Sequence, residues 1–249
     1  MNNILIKLIG WKALLLHGDP TTYDRWEWLK RHLQEGPLRT LDAGCGSGVF
    51  TIFAAKLGNE SIGISFDKAT METAKTRANL LNIPNVQFIT ADLRTLDQYR
   101  AALGLFDQIL CLETIEHILN DKKLLKDLAS LLKPRGRLFL TTPYKHYKRL
   151  MGDHILDYED GGHVRWGYTH EEMKDLYNEC GLEVLSQEYV SGFLSQQITN
   201  LMRLLGKLNY KLAWLLAFPL HLFLPLDGPL TKLLRYPYLS IGVVGVKRG

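Results

Sequence analysis

Leu41-Asp42-Ala43-Gly44-Cys45-Gly46-Ser47-Gly48 decides the fold of this chain. Residues 38–41 before it read as a short apolar strand, and 49–57 after it as a helix. Glycines at alternate positions let the backbone turn sharply and let a ligand lie against it. The helix that follows aims unpaired N–H groups and a positive dipole end at that ligand. A dinucleotide turn spaces its glycines G-x-G-x-x-G. Here the order is Asp-x-Gly-x-Gly-x-Gly. A carboxylate two residues before the first glycine repels a pyrophosphate and suits a cationic amino group.

Working outward, the pattern alternates between strand and helix. Strand 61–65 leads to a helix over 67–81, with Met71, Ala74, Ala78 and Leu81 at helical spacing. Strand 86–91 ends at Asp92. Strand 106–112 ends at Glu113 and feeds a helix over 115–132 that buries Ile118, Leu125, Leu128 and Leu132. Lys133-Pro134-Arg135-Gly136 stops that helix, and strand 137–142 follows. Residues 144–168 have no clean period and read as a long functional loop. Thr169-His170-Glu171-Glu172 is a capping box opening a helix to Cys180. Strands 182–190 and 239–246 complete the set. The expected fold is α/β, a doubly wound, mostly parallel, seven-stranded sheet of Rossmann-like type, with an apolar helical insertion before the last strand. Its ligand belongs at the carboxyl ends of the strands.

The 249 residues are 46% hydrophobic and 22% charged, enough for one large domain with appendages. The net charge of +4 is too mild to argue for nucleic acid. Cys45, Cys111 and Cys180 form no close pair and no metal-type spacing, which fits a reducing, cytoplasmic compartment. The N-terminal stretch (Ile4, Leu5, Ile6, Leu8, Ile9, Trp11) is interrupted by Lys7 and Lys12 and ends at Gly18-Asp19-Pro20, so no signal peptide is expected. The longest charge-free apolar run, 212–226, is short for a span and contains Pro219, His221 and Pro225, so no transmembrane helix is expected either.

Four parts result: a cover segment 1–37, a ligand-binding core 38–190, an insertion 191–238 and a last strand 239–249. In the cover helix, from about Thr21 to Leu33, the tryptophans pack on the core, or Tyr23 or Arg25 reaches over the glycine turn to a ligand carboxylate. In the insertion, Leu201, Leu205, Leu208, Leu212, Leu215 and Leu216 share one side of a helix, with Arg203, Lys207 and Lys211 on the other. That is the pattern of a helix lying in a membrane interface. A helical cap folded on the sheet is the alternative, and the two are compatible.

Asp42, Asp92 and Glu113 end the first, third and fourth strands and therefore open on one edge of a parallel sheet. With the motifs around them, the chain resembles a class I S-adenosylmethionine-dependent methyltransferase. The resemblance rests on the opening stretch, on Thr90-Ala91-Asp92-Leu93, on Phe106 to Glu113 with Ile115-Glu116-His117, and on Leu131-Leu132-Lys133-Pro134-Arg135-Gly136-Arg137-Leu138. It covers about 38–190 and the last strand. It implies S-adenosylmethionine as cofactor. Asp42, Ala43, Gly44, Cys45, Gly46 and Gly48 would surround the methionine part. Ala91, Asp92 and Leu93 would hold adenine. Cys111, Leu112 and Glu113 would line the sulfonium side. Where the family usually has an acid on the ribose hydroxyls, this chain has Ser65, with Phe66 and Asp67 after it. Asp67 reaches back, or Ser65, Thr70 or water holds the ribose. A Gly-Ile-Ser variant is also familiar among lipid methyltransferases such as cyclopropane synthases.

Glu113-x-x-Glu116-His117 is similar to small-RNA 2′-O-methyltransferases and ubiquinone-pathway O-methyltransferases, in which a metal positions an oxygen nucleophile. Here a metal-free site is expected. His163, in the Gly162-to-Thr169 segment that also resembles the family, is the first candidate base, and His117 the second. Lys145, His146, Lys148 and Arg149 form a basic cluster in the same loop, a solvated face or a site for an anionic group. The expected function is methyl transfer to a small or lipid-like acceptor, by preference on oxygen, with a peripheral membrane contact. Carbon methylation of a quinol, prenyl or sterol-like compound, or a non-catalytic cofactor-binding membrane protein, are the alternatives.

Overall fold

A computed structural model describes residues 3–17, 20–149 and 154–249; Gly18 and Asp19, and the side chains of Ile4 and Lys211, lie outside the described residues. Two short helices, α1 (Asn3–Ile9) and α2 (Ala13–His17), lead into α3 (Pro20–His32). The alternation then runs β1 (Arg39–Ala43), α4 (Val49–Lys56), β2 (Glu60–Ser65), α5 (Lys68–Leu80), β3 (Val86–Thr90), α6 (Arg100–Leu103), β4 (Phe106–Leu112), α7 (Asp121–Leu131) and β5 (Leu132–Pro143). After a loop come α8 (His170–Glu179) and β6 (Leu182–Val190). The insertion holds α9 (Phe193–Gly206), α10 (Tyr210–Ala217), a 3-10 stretch Phe218–Leu226 and α11 (Asp227–Leu233), and β7 (Ser240–Lys247) returns to the sheet.

The strands form one sheet in the order β3-β2-β1-β4-β5-β7-β6, parallel except for β7, which is antiparallel to both neighbours. This is the seven-stranded, mostly parallel sheet that the alternation predicts. Strand alternation sends successive side chains to opposite faces. Ile109 and Cys111 of β4 join one buried cluster with Leu125, Leu128 and Tyr177, while Leu110 and Leu112 join another with Trp28, Phe50 and Phe139. Trp28 is 1% exposed and meets Phe139 at 6.4 Å between centroids, so this tryptophan of the cover helix packs on the sheet. Trp11 stacks on Phe53 at 5.4 Å and brings the N-terminal helices onto α4.

Polar residues set the helix starts. Asp67 caps α5 by accepting from Ala69 N at 2.8 Å. Thr169 and Glu172 complete the expected capping box, with bonds of 3.1 and 2.9 Å. Between β4 and β5 the structure departs from the expectation of one helix over 115–132. Ile115–His117 is a single 3-10 turn, Ile118 is extended, and α7 begins only after Asn120, whose side chain caps it. Arg165 holds the break open by donating to the carbonyls of Ile118 and Leu119 at 2.6 and 2.9 Å. The strand after α7 begins at Leu132, before Lys133-Pro134-Arg135-Gly136 rather than beyond it. Leu132 pairs with Phe106, and the register then shifts at Phe106/Gln108. In the insertion, the leucine stripe is divided between α9 and α10, which break at 207–209. Asn209 Oδ1 accepts from Leu212 N at 3.2 Å to start the second helix.

Candidate active site

The glycine turn sits at the end of β1, held to β2 by Gly44 N and Cys45 N, which both donate to Ile64 O at 2.9 Å. Arg77 of α5 clamps it from outside, donating to Ser47 O at 2.9 Å and to the Ser47 hydroxyl. Gly44 has φ +88°, and a Cβ there would lie 2.3 Å from Thr114 Oγ1. Gly46 has φ +49°, and a Cβ there would meet nothing within 4 Å. The first glycine is thus a packing requirement; the second leaves backbone open.

That open backbone faces a cavity of ≈ 340 Å³ at the carboxyl ends of β1 to β4. The volume lies in the roughly 300–1,000 Å³ range of small-molecule sites. Of the residues expected to bind the cofactor, Gly44, Gly46, Ser65, Phe66, Asp92, Leu93 and Glu113 line it, and so does His117. Phe66 is 67% exposed although it lines the cavity. Thr114, Ile118 and Arg94 also line it, and Glu159, Asp160 and Gly161 come over from the long loop. Sequence reasoning missed these. Arg94 follows directly on the Thr90-to-Leu93 motif, whereas the loop acids lie in a stretch without period.

The remaining expected residues sit behind the wall. Asp42 is 2% exposed and accepts from Thr51 Oγ1 at 2.6 Å, so its carboxylate ties β1 to α4. Burial pushes this carboxyl up to about 6. Ala43, Ala91, Cys111 and Leu112 are core residues, and the pleat of β4 points the side chains of 111 and 112 into the two cores. Cys45 is buried, with Sγ 3.7 Å from Met71 Sδ, and burial raises its thiol far above the usual range. Gly48 packs where a Cβ would meet Ala74 and Phe88. Asp67 is occupied as the cap of α5 and does not line the cavity, whereas Ser65 does. Tyr23 packs on Trp26, and Arg25 donates to Thr22 Oγ1 at 3.2 Å.

Two arrangements carry the electrostatics. Arg94 donates from Nε to both oxygens of Asp92 at 2.9 Å and from a terminal nitrogen to Glu159 at 3.1 Å. These bonds from Arg94 hold the Asp92 carboxyl below the usual carboxylate range. They also strap the loop to the end of β3. Glu159 in turn accepts from Leu119 N at 2.5 Å.

The second arrangement surrounds His117. Its Nδ1 lies 3.0 Å from Gly162 O, and a carbonyl can only accept, so Nδ1 donates there and Nε2 is the nitrogen left for another partner. Nε2 is 3.9 Å from Glu116 Oε1. Glu116 is 1% exposed and accepts from Thr142 Oγ1 at 3.3 Å. Burial, then the charge of Glu113, raises its carboxyl well above the ordinary value. His163 does not line the cavity; its ring meets that of His117 edge to face at 4.7 Å. Donor atoms of Glu116, His117 and His163 all lie within 4.8 Å of one another. That set of one oxygen and two nitrogens fits a proton relay and also fits a divalent cation.

A strand–glycine turn–helix in a sheet of this order has relatives among known proteins. A family described as "Methyltransferase domain" matches residues 22–187. The chain belongs to this family and has the fold of the class I S-adenosylmethionine-dependent methyltransferases. It is 31% identical over 126 residues to a ubiquinone biosynthesis O-methyltransferase of Coxiella burnetii, covering 50% of this chain and 51% of that protein. A protein of the same name from Neisseria meningitidis is 26% identical over 168 residues, covering 64% and 70%. The chain thus spans about half the length of the first of these relatives. Among solved structures, a SAM-dependent methyltransferase from Aquifex aeolicus superposes with TM-score 0.58 at 16% identity, covering 99% of this chain and 98% of that one. Coclaurine N-methyltransferase, solved with N-methylheliamine and SAH, gives 0.58 at 19%, covering 96% and 73%. These two show likeness of fold. S-adenosylmethionine is the cofactor of the class.

Proposed function

We propose that this chain methylates a hydroxyl oxygen of a small, lipophilic acceptor. When bound, S-adenosylmethionine supplies a methyl carbon made electrophilic by positively charged sulfur. The protein's work is then to align the acceptor and to take its proton. Gly44 and Gly46 offer backbone to the methionine part, Asp92 and Leu93 receive the adenine, and Ser65 and Phe66 flank the ribose side. Asp42 acts on the ammonium group through the turn that it braces. His117 Nε2 is the atom that accepts the acceptor's proton, and His163 backs the ring on its far side. The observation that carries the reading is an imidazole on the cavity wall, His117, whose Nδ1 is turned to Gly162 O, beside the strand ends that line the same cavity.

Relatives named for ubiquinone biosynthesis support a lipophilic acceptor and transfer to oxygen. Such an acceptor resides in a bilayer, and 191–238 supplies the apolar surface that would meet one. Free thiols at Cys45, Cys111 and Cys180 fit the cytoplasmic side. The grouping of Glu116, His117 and His163 favours a second, metal-assisted version, in which these side chains would hold a divalent cation that would lower the pKa of the hydroxyl. The test is incubation of the purified chain with methyl-labelled S-adenosylmethionine and a lipid extract, followed by mass spectrometry. A labelled ether is the expected product. A labelled carbon–methyl product would move the assignment to carbon, and cofactor binding without any product would leave a binding protein.

A further inference from the structure

The segment between β6 and β7 leaves much of its apolar surface uncovered. Leu208, Leu222 and Leu233 are 86%, 81% and 79% exposed, and Leu212, Leu215 and Leu226 are also open. Single exposed leucines are ordinary, but a run of them across helices packed against one another marks a contact surface. Other side chains of the same helices are satisfied: Ile198, Met202, Ala217 and Leu224 form a buried cluster of their own. An apolar groove lined by Leu194, Ile198, Leu201 and Phe223 lies between α9 and the 3-10 stretch.

Charge narrows the partner. Residues 191–238 contain five cations, Arg203, Lys207, Lys211, Lys232 and Arg235, and a single acid, Asp227. Asp227 is 5% exposed and is spent on the start of α9, accepting from Gly192 N and Leu194 N at 2.6 Å. Arg203, Lys207, Lys232 and Arg235 are exposed. An apolar face among cations and no exposed acid complements an anionic lipid surface and repels a second copy of itself.

We propose that the outer face of α9, α10 and α11 docks in the plane of an anionic lipid bilayer. The 22 residues Leu212–Leu233 are long and apolar enough by composition to cross a membrane, and only 28% of their most apolar window is buried. The structure argues against a span. The stretch is three helical pieces with Pro219 and Pro225 between α10 and α11. Asp227 is tied to the start of α9. The excursion leaves the sheet at Val190 and returns at Ser240, and these two residues are paired partners. A single crossing would put those ends on opposite sides of a hydrocarbon core about 30 Å thick.

The proposal deepens the reading of a lipophilic acceptor, yet vesicle binding is read without turnover, so either can fail alone. The experiment is co-sedimentation of the full chain with phosphatidylcholine vesicles with and without phosphatidylglycerol. We expect at least about tenfold tighter binding to the anionic vesicles, weakening as salt is raised. Combined Leu208→Glu, Leu222→Glu and Leu233→Glu should lower that binding at least about tenfold. The circular dichroism spectrum and cofactor affinity of this variant should match the parent. Failure of the parent chain to sediment with anionic vesicles, or undiminished binding by the triple variant, overturns the proposal. So does a stable dimer in sedimentation velocity that the triple variant dissolves, which would assign the face to a second copy.

Discussion

The rings of His117 and His163 meet edge to face, 4.7 Å between centroids and 81° between planes, with only His117 on the cavity wall. The imidazole with cavity access is therefore the second of the two that the sequence put forward. His117→Ala should lower kcat by about 10²- to 10⁴-fold, the usual contribution of a general base. Cofactor affinity by calorimetry should stay within a few-fold. His163→Ala should slow turnover less, through loss of the ring that holds His117. Equal turnover in His117→Ala and the parent would remove it as the base.

The nearby carboxyl gives a metal test. A proton relay through His117 predicts that prolonged EDTA treatment leaves turnover unaltered. Loss of turnover that added Mg²⁺ or Zn²⁺ restores would assign Glu116, His117 and His163 to a cation.

Two glycines should respond differently to the same change. Gly44→Ala places a methyl 2.3 Å from Thr114 Oγ1 at φ +88° and should prevent a stable fold. Gly46→Ala meets only the strain of a positive φ, about 1–2 kcal/mol, so the variant should fold. Its methyl enters the cavity wall, and calorimetry should show cofactor binding weakened well beyond the loss in stability.

The Asp92–Arg94–Glu159 chain separates binding from strapping. Asp92→Ala removes a charged acceptor, typically about 1.5–3 kcal/mol, and should weaken cofactor binding roughly tenfold or more. Arg94→Ala breaks an exposed pair and should change global stability by less than about 1 kcal/mol. Limited proteolysis should nonetheless cut the 154–161 loop faster. An unchanged cleavage rate would mean that the strap does not hold the loop.

Asp42 makes stability depend on pH. Its folded pKa of about 6 lies above the ordinary 3.8, so the fold holds the proton more tightly than the unfolded chain does. That stabilisation is complete below about pH 4 and is lost as pH rises through 6, on the order of 3 kcal/mol. Denaturant titrations of Asp42→Asn against the parent should therefore differ in slope between pH 4 and 6 and run parallel above 7. A bound ammonium group near the turn would lower this pKa, so cofactor affinity should fall as pH drops through 6. A flat affinity profile would separate Asp42 from the ligand.

The glycine turn and the βα alternation were legible because each rests on short-range pattern: apolar runs, acids at strand ends, Pro-Gly stops. Thr169 and Glu172 announced their capping box in the same way. The long loop was not legible, since Glu159 earns its place through Arg94 and Leu119, partners distant in sequence. The burial of the Cys111 and Leu112 side chains was not legible, because a strand-end motif does not say which way the pleat points each side chain. The break before α7 depends on Arg165, which lies beyond the next strand.

The position of β7 bears on how the molecule is made. Among the described residues it is the only strand beside β6, and it separates β6 from β5. During synthesis, the half of the sheet from β3 to β5 can emerge and pair while β6 still has no neighbour. The edge that anchors 191–238 forms only when the final strand slides between its two partners. Premature termination just short of Ser240 would therefore release a chain with its cofactor half assembled and two strands' worth of edge missing, an exposed template for aggregation.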